Sequence, residues 1–223
     1  MNPVRVLGIE TSSPVCSVAL LILRRRPADF ARALGEGGCV ERKYALGKAR
    51  HSEAVFELLD RVFRAAKTGI KSVDAVAVSL GPGSFTGLRI GLAVAKVLAR
   101  FGGKRLVGVP TLAALAAQES VVARAPLYAA VSDAQRGELY AALYRRIEGR
   151  MSKVRGPWVC RPGDLEGILP AGSRTVYGPP GASFVAALGA VAFLHGRHSD
   201  PDRMTPLYVR RPEAVETLIR RMR

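Results

Sequence analysis

Gly81-Pro82-Gly83-Ser84-Phe85-Thr86-Gly87-Leu88-Arg89-Ile90-Gly91 is the stretch on which the fold turns. The apolar run 74–80 before it reads as a short buried strand. The run 85–101 after it is nearly apolar all round and is closed by Gly102-Gly103, which reads as a helix with a glycine stop. The segment is therefore a strand-to-helix turn with Ser84 as a natural N-cap. It is not a P-loop, because no Gly-Lys-Ser/Thr follows, and it is not Gly-x-Ser-x-Gly.

Three readings of this segment stand side by side. Gly83 and Ser84 open a helix whose free N–H groups could bind an anion. The turn could equally be structural. The third reading comes from spacing: Gly83, Gly87, Gly91, Ala95 and Ala99 recur every fourth residue, leaving one helix face almost without side chains. Such a face lets another helix approach closely. Each interior glycine costs about 1 kcal/mol relative to alanine, so Gly87 and Gly91 call for a packing reason. Leu88, Leu92 and Phe101 fall elsewhere on the cylinder and are expected at the sheet or the interface rim.

Working outward, 4–9 and 16–23 read as a hairpin of strands around Ser12-Ser13-Pro14. Residues 24–38, with Pro27, Gly35, Gly37 and Gly38 among charges, read as a long loop before a third strand at 39–46. Val55, Leu58, Leu59, Val62, Phe63 and Ala66 then follow the i, i+3, i+4, i+7 spacing of an amphipathic helix, with Ser52 as its cap. A strand at 104–109 and a helix at 111–118 capped by Thr111 follow the glycine segment. Three meandering strands followed by strand-helix units imply an α/β fold with a mixed sheet covered by helices.

A second lobe is expected beyond residue 110, dividing the chain into 1–110 and 111–223. Its first strands, 127–131 and 139–145, flank the polar turn 132–137. A short helix from Asp164, a strand at 175–177 and a helix at 183–191 come next, then a Pro- and Arg-rich tail. The strand-strand openings at residues 4 and 127 hint at a duplicated lobe.

The chain has 223 residues and a net charge of +16. That sign attracts polyanions such as nucleic acid or anionic membranes. Residues 1–110 carry 18 Lys and Arg against 8 Asp and Glu, and 111–223 carry 16 against 10, so no single arm holds the charge. Arg24-Arg25-Arg26 and Arg220-Arg221-Met222-Arg223 are short enough to be solvated. Three distant cysteines suit a reducing cytosol and indicate neither a disulfide framework nor a metal knuckle. Neither a secretory signal nor a membrane span is read, so a cytoplasmic location is expected.

Chemistry-bearing constellations are few. Thr11 and Ser12, after Glu10 at the end of the first strand, could cradle phosphate with hydroxyl and backbone donors; with Gly83 and Ser84 they form the candidate anion or nucleotide site. His51 and Glu53 precede the first long helix, but Val55 stands where a second histidine would complete a metal pair. No metal site is expected. Asp133 and Glu138 flank a turn and read better as a solvated hairpin than as an acid/base pair. His195 and His198 read as solvated, and Trp158 as packing.

These residues carry a resemblance. Val6-Leu7-Gly8-Ile9-Glu10-Thr11-Ser12, Cys16-Ser17-Val18-Ala19-Leu20, His51-Ser52-Glu53 and the run Gly81 to Gly91 with Lys96 resemble the TsaB (YeaZ-like) family of bacterial tRNA threonylcarbamoyladenosine biosynthesis proteins. So do Val131-Ser132-Asp133-Ala134, Glu138-Leu139-Tyr140 and Pro206-Leu207-Tyr208-Val209-Arg210 with Pro212-Glu213-Ala214. The resemblance implies an actin-like ATPase (ribonuclease H-like) architecture of two related lobes with mixed sheets, the second reduced.

It also implies a non-catalytic partner of a TsaD-like transferase, which moves a threonylcarbamoyl group to the adenosine beside the tRNA anticodon. A TsaE-like ATPase joins them. The partner interface, with TsaD or with a second copy as a homodimer, would use the two long helices: Gly83, Gly87, Gly91, Ala95, Ala99, Leu88 and Leu92 on one, Val55 and Leu59 on the other. The histidine-based metal site of TsaD stops here at His51. No cofactor of its own is implied; ATP in the cleft stays open, with Glu10 where many members have Asp. Direct tRNA contact through the basic surface is the reading that +16 adds. An actin-like ATPase, phosphotransferase or protease-like enzyme with its own activity is the alternative, and a stand-alone RNA-binding protein a third.

Overall fold

The structure is a computed structural model that describes residues 2–45 and 51–210. The arginine cluster at 220–223, the Pro212-Glu213-Ala214 run and Leu46 lie outside the described residues. The first sheet has the order β3-β2-β1-β4-β5, from β1 (Val4–Glu10), β2 (Val15–Leu23), β3 (Gly38–Ala45), β4 (Ala75–Gly81) and β5 (Arg105–Pro110). β2 runs antiparallel to β1 and β3, while β4 and β5 run parallel to β1.

Alternation along the strands sends each side chain set to a different layer. Leu7, Ile9, Val18, Leu20, Val76 and Val78 meet α2 (His51–Ala65) and α3 (Phe85–Gly102) on one face. Val6, Leu21, Ala75, Ala77, Val107 and Val109 meet α1 (Phe30–Glu36) and α6 (Ala182–Leu194) on the other. Small residues let α6 lie close: a Cβ on Gly8 would come within 2.3 Å of the Ala182 carbonyl, and one on Gly189 within 2.3 Å of the Ala77 Cβ. A helix from the second half of the chain thus covers the first sheet, across the expected division at residue 110.

The second sheet has the order β8-β7-β6-β9, from β6 (Leu127–Gln135), β7 (Glu138–Ile147), β8 (Arg150–Cys160) and β9 (Ser173–Tyr177). It repeats the first sheet without the fifth strand, so the second lobe is the reduced copy. Helix α4 (Thr111–Val122) covers one face through Leu112, Leu115 and Ala116. Among the described residues the other face carries only the short α5 (Leu165–Ile168), with Leu165 set against Val131 and Ala141.

Several local expectations change. The 24–38 stretch is not all loop: Asp29 Oδ1 accepts from the Ala31 and Arg32 amides at 2.9 and 3.0 Å and caps α1. Ser52 lies inside α2 rather than at its cap. Thr111 does not cap α4; its hydroxyl accepts from the Gly81 amide at 3.1 Å, and Pro110 holds the cap position. Strand β8 is the element the sequence does not announce, because Gly156, Pro157 and four basic or polar residues break the alternation of an edge strand.

Candidate functional site

The β1–β2 turn is built to meet the start of α3. The Ser84 amide donates to the Ser12 carbonyl at 2.7 Å, and Ser84 Oγ accepts from the Gly87 amide at 3.2 Å as the N-cap. Thr11 Oγ1 donates to the Gly87 carbonyl at 2.8 Å, and His51 Nε2 lies 2.9 Å from the Ser13 carbonyl. The glycines explain the closeness. A Cβ on Gly87 would lie 2.0 Å from the Thr11 carbonyl, one on Gly91 2.1 Å from Thr11 Oγ1, and one on Gly83 2.3 Å from the Ser12 carbonyl. Gly81, at φ +110°, turns the chain in a region that side chains rarely adopt.

The expected bare stripe is therefore turned inward. Gly87, Gly91, Ala95 and Ala99 are buried, and the first two are filled by the chain's own Thr11 rather than left open to another helix. Leu88 and Leu92, expected at the sheet or the interface rim, and Val55 and Leu59, expected at the partner interface, are buried within the chain; Leu92, Val55 and Leu59 lie in the first sheet's core. The outward faces of the same two helices carry Phe56, Val97 and Phe101, exposed by 60%, 54% and 83%. Phe101, expected at the sheet or the interface rim, lies in solvent; Phe56 and Val97 are not picked out by periodicity, which marks a buried face and leaves the opposite side to polar residues by default.

Thr11 and Ser12 are buried, and their hydroxyls are spent inside the fold. Both the Ser12 hydroxyl and its amide donate to Glu10 Oε1, the amide at 2.6 Å. Glu10 is fully buried and its Oε2 has no hydrogen-bond partner. Burial pushes its carboxyl up to about 7, with the hydrogen bonds from Ser12 and Ser79 pulling the other way. The candidate anion donors of this turn are thus committed to Glu10 and α3.

Between the lobes lies a cleft of about 1220 Å³, lined by residues including Ser12, His51, Ser84, Arg89, Asp133 and Tyr177. One cluster in it escaped the sequence reading: the Arg89 guanidinium sits 3.8 Å over the Phe85 ring, and its Nε donates to the Tyr208 hydroxyl at 3.0 Å. The Phe85 and Tyr208 rings are 5.3 Å apart. The tail runs along the cleft, with the Leu207 amide donating to the Leu80 carbonyl at 2.7 Å and Arg210 paired to Glu138 of β7. Asp133 Oδ1 accepts from the Gln135 amide and shapes the β6–β7 turn. Among the described residues no group of three or more His, Cys, Asp or Glu is placed to hold a metal ion, and no helix is long and apolar enough to cross a membrane.

Two lobes with the same strand order facing each other across a cleft define an actin-like ATPase, or ribonuclease H-like, fold. The model of the TsaD family, tRNA N6-adenosine threonylcarbamoyltransferase, matches residues 45–186. The tRNA threonylcarbamoyladenosine biosynthesis protein TsaB of Escherichia coli (strain K12) is 29% identical over 174 residues, which cover 70% of this chain and 69% of that one. A tRNA N6-adenosine threonylcarbamoyltransferase of Thermodesulfovibrio yellowstonii is 34% identical over 109 residues, 47% of this chain but only 32% of the transferase. The solved structure of YeaZ from Pseudomonas aeruginosa has a TM-score of 0.77 at 24% identity, covering 92% of this chain and 99% of that one. The chain belongs to the TsaD family, and within it is a TsaB/YeaZ-like protein.

Proposed function

We propose that this protein is a partner subunit in tRNA threonylcarbamoyladenosine biosynthesis, without a catalytic centre of its own. It binds a TsaD-like transferase that carries the threonylcarbamoyl group to the adenosine beside the anticodon. The observation that carries the reading is the set of large apolar side chains exposed on the outward sides of α2 and α3. Phe56, Val97 and Phe101 lie largely in solvent, on the two helices that close the core over the first sheet. Large apolar side chains left in solvent mark candidate interface positions, and a TsaB-type relative and a transferase both match this chain. The filled β1–β2 turn supports the non-catalytic part, since its hydroxyls are engaged with Glu10 and Gly87.

The same face serves a homodimer when the protein is alone, and a TsaE-like ATPase joins the assembled pair. The working compartment is the cytoplasm, where tRNA is modified. Phe56→Glu combined with Phe101→Glu is expected to abolish co-purification with the TsaD-like transferase and to leave a monomer with an unchanged circular dichroism melt. Undiminished capture of the transferase by this double variant would remove the interface. ATP turnover by the purified protein alone would instead favour an enzyme with its own activity.

A further inference from the structure

The hairpin of β7 and β8 holds a dense run of basic side chains. Residues 145–161 carry six basic side chains, Arg145, Arg146, Arg150, Lys153, Arg155 and Arg161, against one acid, Glu148. That is +5 of the chain's +16 in 17 residues. The strand register gathers part of it: Arg145 stands opposite Ser152, Ile147 opposite Arg150, and Leu143 opposite Arg155. Positions 143, 145 and 147 alternate onto one face, the one where Leu143 meets Trp158 and Leu169 and which α4 does not cover. Arg146 points the other way, donating to the Ser120 carbonyl of α4 at 3.0 Å.

Arg150 is held by His195 Nε2 at 3.0 Å, and the Arg155 guanidinium lies 4.9 Å over the Trp158 ring. Arg145, Lys153, Arg155 and Arg161 are all exposed, and none forms an ion pair among the described residues. Like charges on neighbouring strands destabilise a sheet. A single lysine would suffice to guard an edge strand against pairing. Five arginines and one lysine with a single acid exceed that need. A guanidinium fork matches phosphate oxygens in a way that an ammonium does not, and an arginine stacked on an indole offers a flat surface to a base as well as a charge.

We infer that the β7–β8 hairpin, through Arg145 and Arg155 on its outer face, Lys153 on the exposed edge strand opposite Tyr144, and Arg161 where β8 ends, binds the phosphate backbone of a tRNA. The choice of tRNA among polyanions rests on the functional reading above; the charge and geometry of the surface do not. This surface lies in the reduced lobe, on elements other than the α2–α3 face, so one molecule can hold transferase and RNA together.

The test is fluorescence anisotropy of the full chain with labelled tRNA between 50 and 200 mM salt, for the wild type and for Arg145→Glu, Lys153→Glu and Arg155→Glu combined. The wild type is expected to bind with a steep salt dependence. The triple variant is expected to bind at least tenfold more weakly, with the slope of log K against log salt reduced by two to three, about 0.9 for each phosphate no longer neutralised. Arg24→Glu with Arg25→Glu, an equal type of charge change elsewhere, is expected to change binding by less than threefold. Equal weakening by both variants, no tRNA binding at 50 mM salt, or preference for phosphatidylserine vesicles over tRNA would each overturn the assignment. Capture of the TsaD-like transferase is measured on the same variants: loss of RNA binding with capture intact isolates this surface, and RNA binding without capture sinks the partner reading alone.

Discussion

The β1–β2 turn of the first lobe and the β6–β7 turn of the second hold the same place in two sheets of the same strand order. They have been treated in opposite ways. The first is packed: Thr11 and Ser12 are buried, and α3 lies so close that a methyl on Gly87 would meet the Thr11 carbonyl at 2.0 Å. The second is an open hairpin turn in which Arg136 and Gly137 take φ +57° and +73°, Gln135 through Gly137 are exposed, and a Cβ on Gly137 would meet nothing within 4 Å. The fold therefore supplies the cleft, while its two mouths are separately furnished. A phosphate ligand at the first mouth would have to compete with Glu10 for the Ser12 donors.

Gly87→Ala breaks the comparison most sharply. The added methyl gains about 1 kcal/mol of helix propensity, but the atom it strikes is backbone and has no rotamer to yield. The net cost is expected at about 3 kcal/mol, at the top of the range for an overpacked core, read as a lower urea midpoint with an unchanged slope. A neutral Gly87→Ala would mean that Thr11 does not sit against α3.

Glu10 gives the next effect, and the same turn supplies it. Burial raises its pKa from the ordinary 4.5 to about 7, so the native state holds this proton more tightly than the unfolded chain does. The stabilisation is complete below pH 4.5 and is lost as pH rises through 7. At about 1.4 kcal/mol per pKa unit the loss is on the order of 3 kcal/mol. Thermal melts are expected to show Tm falling between pH 5 and 8 in the wild type and a flatter profile in Glu10→Gln. Equal profiles would show that Glu10 is hydrated in solution. The second lobe holds no such group at its turn: Asp133 is exposed and occupied with the Gln135 amide.

The contrast also explains what was legible beforehand. Elements with a strong period, such as α2 with Val55, Leu58, Leu59 and Val62, or a clear stop, such as α3 with Gly103 at φ +64°, could be read from local chemistry. So could the duplicated opening of the two lobes. The direction of the glycine stripe could not. A run of small residues says that something comes close, and only the tertiary structure says that it is Thr11 of the same chain. Strand β8 was hidden because half of it faces solvent; the basic side chains of residues 145–161 are contiguous in the sequence, but their pairing across two strands is not visible there. Tyr208 meets Arg89 from 119 residues away, a pairing with no local signature.

The 24–38 segment sharpens the comparison at smaller cost, because it joins the two lobes at the end away from the cleft mouths. Phe30 of α1 is buried, with the Arg146 guanidinium of β7 5.2 Å over its ring, and Gly149 of the β7–β8 turn lies close to the Asp29 side chain. Asp29→Ala removes the cap of α1 and is expected to cost about 1 kcal/mol. Hydrogen exchange should then rise in α1 and at the β7–β8 turn together. An increase confined to α1 would show that the segment does not brace the second lobe.

The smallest expected effect is at the open turn. Gly137→Ala meets no neighbour, so its cost is the left-handed backbone alone, about 1–2 kcal/mol. Part of it is offset by the reduced freedom of the unfolded chain, worth about 0.4–1 kcal/mol. The net is about 0.5–1 kcal/mol, several times less than the same glycine-to-alanine change at position 87. Urea melts of the two variants side by side measure that ratio directly. A ratio near one would mean that the two mouths are equally packed in solution, and the difference on which the non-catalytic reading of the first turn depends would be lost.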